Sequence, residues 1–187
     1  MAYPVPESAI DDEVRRAIAK ALRKEEGAVT LDASIIEDLG GTSLDFLDIT
    51  FRLEQAFGIK LPHNLLVDQI EELFGEGTAV DSSGKLTPGA VEVVRLRLGE
   101  HERLAAELFA DEVPALVTTR ALAAGVKEIL ASLPAACGCG AADWKRGEGV
   151  KVVCGRCAKA PSFSDGDTLT QGWLRTAAKE KSLFVVA

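Results

Sequence analysis

The chain has 187 residues, 47 % of them apolar, with a formal net charge of -8. That is the composition of a globular protein with a real core, and the length admits one domain or a domain with an appendage. The acidic balance argues against nucleic acid, whose binding rests on clustered lysine and arginine, and against anionic membrane surfaces; it suits partners carrying basic patches, or simple solubility. The opening "MAYPVPESAIDDEV" lacks a basic stretch followed by an apolar run, so it does not read as a secretory signal. No apolar run approaches bilayer length. A cytosolic location is expected, and there four cysteines are better read as metal ligands than as disulfides.

From Ser8 to about Lys24, Ile10, Val14, Ile18 and Leu22 recur every fourth residue, which predicts an amphipathic helix. Ser8 and Asp11 suggest a capping box at its start, and Gly27 marks its end. The loop "AVTLDASIIEDLGG" carries Leu31, Ile35, Ile36 and Leu39, too many apolar residues for a free linker. Ser43 to Phe57 predicts a second helix stopped by Gly58, and "IKLP" an extended exit. Residues 63–74 predict a short third helix. The turn-rich "GEGTAVDSSGKLTPG" follows, with Thr87-Pro88 as cap and first residue of a helix over 88–98. A further helix is expected over 100–111, and a last long one after Thr118 or Thr119, ended by Pro134. Beyond it the chain turns glycine-rich, with a hairpin expected around Arg146–Gly149 and "SLFVVA" as a possible third strand.

Ser43 opens the second helix, and three readings of its hydroxyl compete. A nucleophilic serine needs a base and an orienting acid; neither His63 nor His101 sits in a motif that supplies them. A helix N-cap is the bland alternative, since serine is favoured there. The third is a covalent tether, because the backbone N–H groups and dipole at a helix N-terminus favour an attached phosphate. Gly40 and Gly41 leave room for an enzyme to reach the hydroxyl. Behind it, Asp45, Asp48, Arg52 and Gln55 make one solvent-facing stripe. Leu53 and Phe57 belong to the core, whereas Leu44 and Phe51 lie toward an edge where an apolar strip flanked by carboxylates can dock a partner.

The stretch "EDLGGTSLDFLDITFRLEQAFGIKLP" resembles the phosphopantetheine-attachment segment of acyl carrier proteins and peptidyl carrier domains. The likeness is dense over some 25 residues, weaker over the first helix, and extends to "LVTTRALAAGVKEIL", similar to the closing helix of such bundles. It implies a mainly α fold: a four-helix bundle over residues 1–133, with a helical insertion at about 75–113. It also implies 4′-phosphopantetheine on Ser43 and an acyl or aminoacyl thioester on its thiol. Expected partners are a phosphopantetheinyl transferase, a loading ligase and acyl-transfer enzymes, in lipid or secondary-metabolite assembly. Leu44, Asp45, Asp48 and Phe51 fall at the family's recognition positions. Thr42 stands where acyl carriers usually have Asp and peptidyl carriers often His. Gly40-Gly41 leans to the peptidyl type, Asp45 and Asp48 to the acyl type; an unmodified docking adapter is the alternative from another class.

Cys137, Cys139, Cys154 and Cys157 form C-G-C followed by C-G-R-C. Four thiolates suit tetrahedral Zn²⁺ in a closed structural site, with an iron–sulfur cluster and disulfides as alternatives. Residues 134–187 resemble a small, β-rich zinc ribbon, in which the metal substitutes for a core too small to form.

Overall fold

The computed structural model describes residues 3–184. It is mainly helical with one two-stranded sheet, and divides into two compact units, each assembled from two separate stretches of chain. Among the described residues no helix is long and apolar enough to cross a membrane.

The first unit takes the chain through Leu61 together with Thr118–Gly166. Its helices are α1 (Glu7–Leu22), α2 (Ser43–Phe57) and α5 (Thr119–Ala131), with α1 packed against both others. Ile10, Val14 and Ile18 of α1, Ile49, Leu53 and Phe57 of α2, and Val126, Ile129 and Leu130 of α5 are buried, as the fourfold spacing of apolar residues requires. Lys127 binds Glu7 (3.3 Å) and Asp11 (2.7 Å), tying α5 to the start of α1. The expected Ser8–Asp11 capping box does not form: the cap is Pro6, two residues earlier, whose fixed φ of -66° sets up the first turn without a side-chain cap. The helix also ends before Gly27, at Leu22, because Arg23 turns left-handed (φ 53°).

The loop from α1 to α2 is anchored as its apolar content suggested. Ile35 and Leu39 are buried, Arg15 donates to the Val29 carbonyl (2.7 Å), and Ser34 bridges to Thr118 beside α5. At Gly41 an added Cβ would lie 2.7 Å from the Ile35 carbonyl oxygen, so only glycine lets the loop close onto α2.

The same unit holds the cysteine module. Strands β1 (Trp144–Arg146) and β2 (Val152–Cys154) pair antiparallel with Lys145 opposite Val153, the hairpin expected around 146–149. Trp144 Nε1 donates to the Pro134 carbonyl (2.7 Å) and Tyr3 Oη to the Val150 carbonyl (3.0 Å), joining the hairpin to the end of α5 and to the N-terminal arm.

The second unit comprises residues 62–117 and the chain from Asp167 onward. It contains α3 (Leu66–Phe74), α4 (Pro88–Leu98) and most of α6 (Gly166–Glu180) around a core that includes Ile70, Ala90, Val93, Val94, Leu108, Leu116 and Leu174. Thr87 caps α4 with Pro88 in its first turn, as expected. The helix expected over 100–111 is replaced by two 3₁₀ segments, Glu102–Ala105 and Ala110–Leu116. Gly99 ends α4 ahead of them, Pro114 lies within the second, and Lys85 bridges to Phe109, drawing that residue into extended pairing. The α6 helix itself was not anticipated. Of the segment read as a third strand, Ser182–Phe184 form a turn after α6, and residues 185–187 lie outside those described.

Candidate functional site

Ser43 is the first residue of α2, not its cap. The cap is Thr42, in a reciprocal box with Asp45: Thr42 Oγ1 accepts from the Asp45 N–H (3.3 Å), and Asp45 Oδ2 accepts from the Thr42 N–H (2.8 Å) and hydroxyl (2.7 Å). The T-x-x-D spacing was legible in the chain and is the signal that could have assigned the cap. Its consequence is chemical. The Thr42 hydroxyl is used twice, whereas the exposed Ser43 hydroxyl makes no hydrogen bond among the described residues. The two adjacent hydroxyls are thereby distinguished: one caps the helix, the other is exposed and unbonded among the described residues.

Asp45 is held below the ordinary aspartate range, first by the Thr42 hydroxyl and then by the Thr42 N–H, with Arg23 adding charge attraction. It is therefore a carboxylate at neutral pH. Its charge lies in the first turn of α2, where the helix dipole also favours an anion.

Along the outer face of α2, Leu44, Leu47 and Phe51 are 78 %, 63 % and 55 % exposed. Their 3- and 4-residue spacing sets them in one line, an apolar strip that folding leaves in water. Asp48 lies beside it, bound to Arg52 Nε (2.9 Å). Leu44, Asp45, Asp48 and Phe51 thus share one exposed face. Leu47, which sequence reasoning left among the general apolar residues, is part of it; its place between Leu44 and Phe51 at helical spacing was the available signal.

A model of the phosphopantetheine attachment site matches residues 12–77. An acyl carrier protein of Borrelia garinii is 40 % identical over 55 residues, 29 % of this chain and 69 % of that protein. The chain belongs to the acyl carrier protein family. An acyl carrier protein AcpXL of Brucella melitensis is 39 % identical over 61 residues, 33 % of this chain and 66 % of the relative. The acyl carrier protein of Campylobacter hominis is 43 % identical over 51 residues, 27 % of this chain and 65 % of the relative. The chain thus spans about two thirds of the length of these curated relatives, and the similarity covers a third or less of the chain itself. No solved structure matches.

The four cysteines come together as their pattern suggested. The Sγ atoms of Cys137, Cys139, Cys154 and Cys157 all lie within 4.8 Å of one another, with Cys137–Cys157 and Cys139–Cys154 at 3.6 Å. Tetrahedral Zn–S bonds of about 2.3 Å require sulfurs about 3.8 Å apart, so the set fits a single zinc ion. An iron–sulfur cluster, whose thiolates take different irons, suits this spacing less well. Backbone turns build the cage: Gly140 N–H donates to the Cys137 carbonyl (2.7 Å), and Ala158 N–H to that of Cys154 (2.9 Å).

The N–H groups of Cys157 and Arg156 pull the Cys154 thiol down to about 6. Cys139 moves the other way, to about 11: the Ala141 N–H favours its thiolate, but desolvation and the three neighbouring sulfurs outweigh it. Like charges this close resist ionising together, and a divalent cation removes that conflict. Zinc bound there supplies a structural crosslink, since all four positions are protein ligands.

Proposed function

We propose that this chain is a non-catalytic acyl carrier whose Ser43 bears 4′-phosphopantetheine. The observation that carries the reading is the unbonded, exposed hydroxyl at the first residue of α2, inside the segment matched by the attachment-site model. In the attachment step Ser43 Oγ attacks the coenzyme A phosphorus nearest the pantetheine. A P–O bond forms to Oγ, the pyrophosphate P–O bond breaks, 3′,5′-ADP leaves, and the serine proton passes to base. The resulting phosphodiester lies at the positive end of α2. The thiol at the arm's end then holds an acyl group as a thioester for transfer between enzymes.

The curated relatives are acyl rather than peptidyl carriers, which favours an acyl cargo and a place in lipid or secondary-metabolite synthesis. Partners are a phosphopantetheinyl transferase, a loading ligase and acyl-transfer enzymes, acting in the cytosol. They dock on Leu44, Leu47 and Phe51, which bury apolar area, while Asp45 and Asp48 attract basic residues and orient the encounter. Such a shuttle needs fast release, so each contact is modest. The cysteine module holds one Zn²⁺ and stiffens the unit that presents α2.

The test is the intact mass after co-expression with a broad-specificity phosphopantetheinyl transferase. One prosthetic group is expected on the wild-type chain and none on Ser43→Ala. An unchanged wild-type mass with several transferases refutes the reading.

A further inference from the structure

A cleft in the first unit is built from three elements that lie far apart in the chain. Ala17 and Lys20 of α1, Arg52 and Ala56 of α2, and Val150 and Lys151 beside the β1–β2 turn enclose about 350 Å³. A volume of this size is within the usual range for small-ligand sites. The hairpin wall is held in place. Tyr3 Oη donates to the Val150 carbonyl (3.0 Å), Arg146 Nε to the Gly149 carbonyl (2.6 Å), and the Gly147 N–H to the Lys151 carbonyl (2.8 Å). The floor is small and apolar: Ala17 and Val150 are each 4 % exposed, and Ala56 is half-buried.

The charges of the lining are unevenly spent. Glu13 is engaged by Arg16 (2.5 Å). Arg52 holds Asp48 through Nε (2.9 Å), which leaves the outer N–H groups of its guanidinium unbonded among the described residues. Lys20 and Lys151 are exposed and form no ion pair among the described residues. Glu148 is the one carboxylate of the lining in the same position. Donors therefore converge from α1, α2 and the hairpin on one small space. Three directions of approach suit the oxygens of a phosphoryl group better than the two of a carboxylate, and the guanidinium fork matches phosphate geometry. Gln55, exposed at the rim and unbonded among the described residues, carries an amide that can both donate and accept.

We propose that this cleft binds a nucleoside phosphate. Its phosphate oxygens meet Lys20, Lys151 and the outer N–H groups of Arg52, and its base lies on the floor of Ala17, Ala56 and Val150 with its edge toward Gln55. The site is independent of Ser43, which precedes Arg52 by nine residues of α2, about 13 Å at the helical rise. The cysteine module thereby supplies one wall of a binding site as well as a crosslink.

The experiment titrates the full chain, with its zinc content measured before and after, using ATP, adenosine 3′,5′-bisphosphate, inorganic pyrophosphate and adenosine. Calorimetry gives the affinity and ¹⁵N-detected amide shifts give the place. A Kd of about 0.1 mM is expected for one or both nucleotides, with shifts concentrated at Lys20, Gln55, Val150 and Lys151. The two nucleotides separate a 5′-polyphosphate ligand from a coenzyme A-derived one. Pyrophosphate and adenosine should each bind about tenfold more weakly, because each makes only half of the contacts. Lys20→Gln and Lys151→Gln should each weaken nucleotide binding about tenfold. Glu148→Gln should tighten it about threefold by removing the unpaired carboxylate, a gain that a merely structural role would not give. Absence of shifts at Lys151 with either nucleotide at about ten times the expected Kd overturns the proposal. So does pyrophosphate that binds as tightly as the nucleotides, or a pair of lysine variants that bind like the wild type.

Discussion

The division of labour between Thr42 and Ser43 makes the sharpest prediction. Thr42→Ala removes the hydroxyl that accepts from the Asp45 N–H and that donates to Asp45 Oδ2. Loss of an N-cap hydroxyl costs about 1 kcal/mol. In a protein of this size that corresponds to a fall in melting temperature of about 2–4 °C. Ser43→Ala removes a hydroxyl with no hydrogen bond among the described residues, and alanine is the better helix former at that position. Its effect on stability should therefore lie within about 0.5 kcal/mol of zero. Attachment should show the opposite pattern: Thr42→Ala still gains one prosthetic group, and Ser43→Ala gains none. Urea denaturation of the full chain followed by circular dichroism gives the first comparison, and intact mass the second. If Ser43→Ala costs as much as Thr42→Ala, Ser43 is the cap after all and the free hydroxyl on which the functional reading rests does not exist.

The capping box also has a pH signature. The folded Asp45 carboxyl lies below its ordinary 3.8, so the stability it contributes is present above that value and is lost as pH falls through the lower folded value. Carboxyl-detected titration should show Asp45 below the other exposed aspartates, moving up in Thr42→Ala. Metal analysis of protein purified without chelator should find one zinc per chain. Chelation should expose the Trp144 indole now bonded to Pro134 and increase exchange of the β1–β2 amides, and acid should release the zinc because protons compete with it for the four thiolates. Gly41→Ala would press a methyl group to within 2.7 Å of the Ile35 carbonyl and should destabilise the chain by about 1–3 kcal/mol, whereas Gly27→Ala meets nothing within 4 Å and should be near neutral.

Much of this protein could be read from the chain because local signals and tertiary packing agree. The fourfold apolar spacing of α1, the Thr87-Pro88 start of α4, the Thr118 cap of α5 and the hairpin between the cysteine pairs all appear where they were expected. The cysteines converge through tight backbone turns at each pair, closed by the Gly140 N–H on the Cys137 carbonyl and the Ala158 N–H on that of Cys154. The segment around Ser43 was recognisable because attachment needs residue identities in a fixed local order, and order is what a sequence displays.

Tertiary structure decided what local signals left balanced. Thr42 and Ser43 are both good caps; the T-x-x-D spacing favours Thr42, and the hydrogen-bond geometry shows it in that role, with no bond to the Ser43 hydroxyl among the described residues. Residues 100–111 have helical spacing, but pairing of Lys85 with Phe109 captures the backbone groups a helix would have used. α6 was invisible against its glycine- and serine-rich approach, yet Leu174 completes a core with Ile70 and Val93, and burial outweighs weak propensity. Covalent order determines which groups exist and what chemistry each can perform; only packing determines which of them remain unspent and what stands beside them.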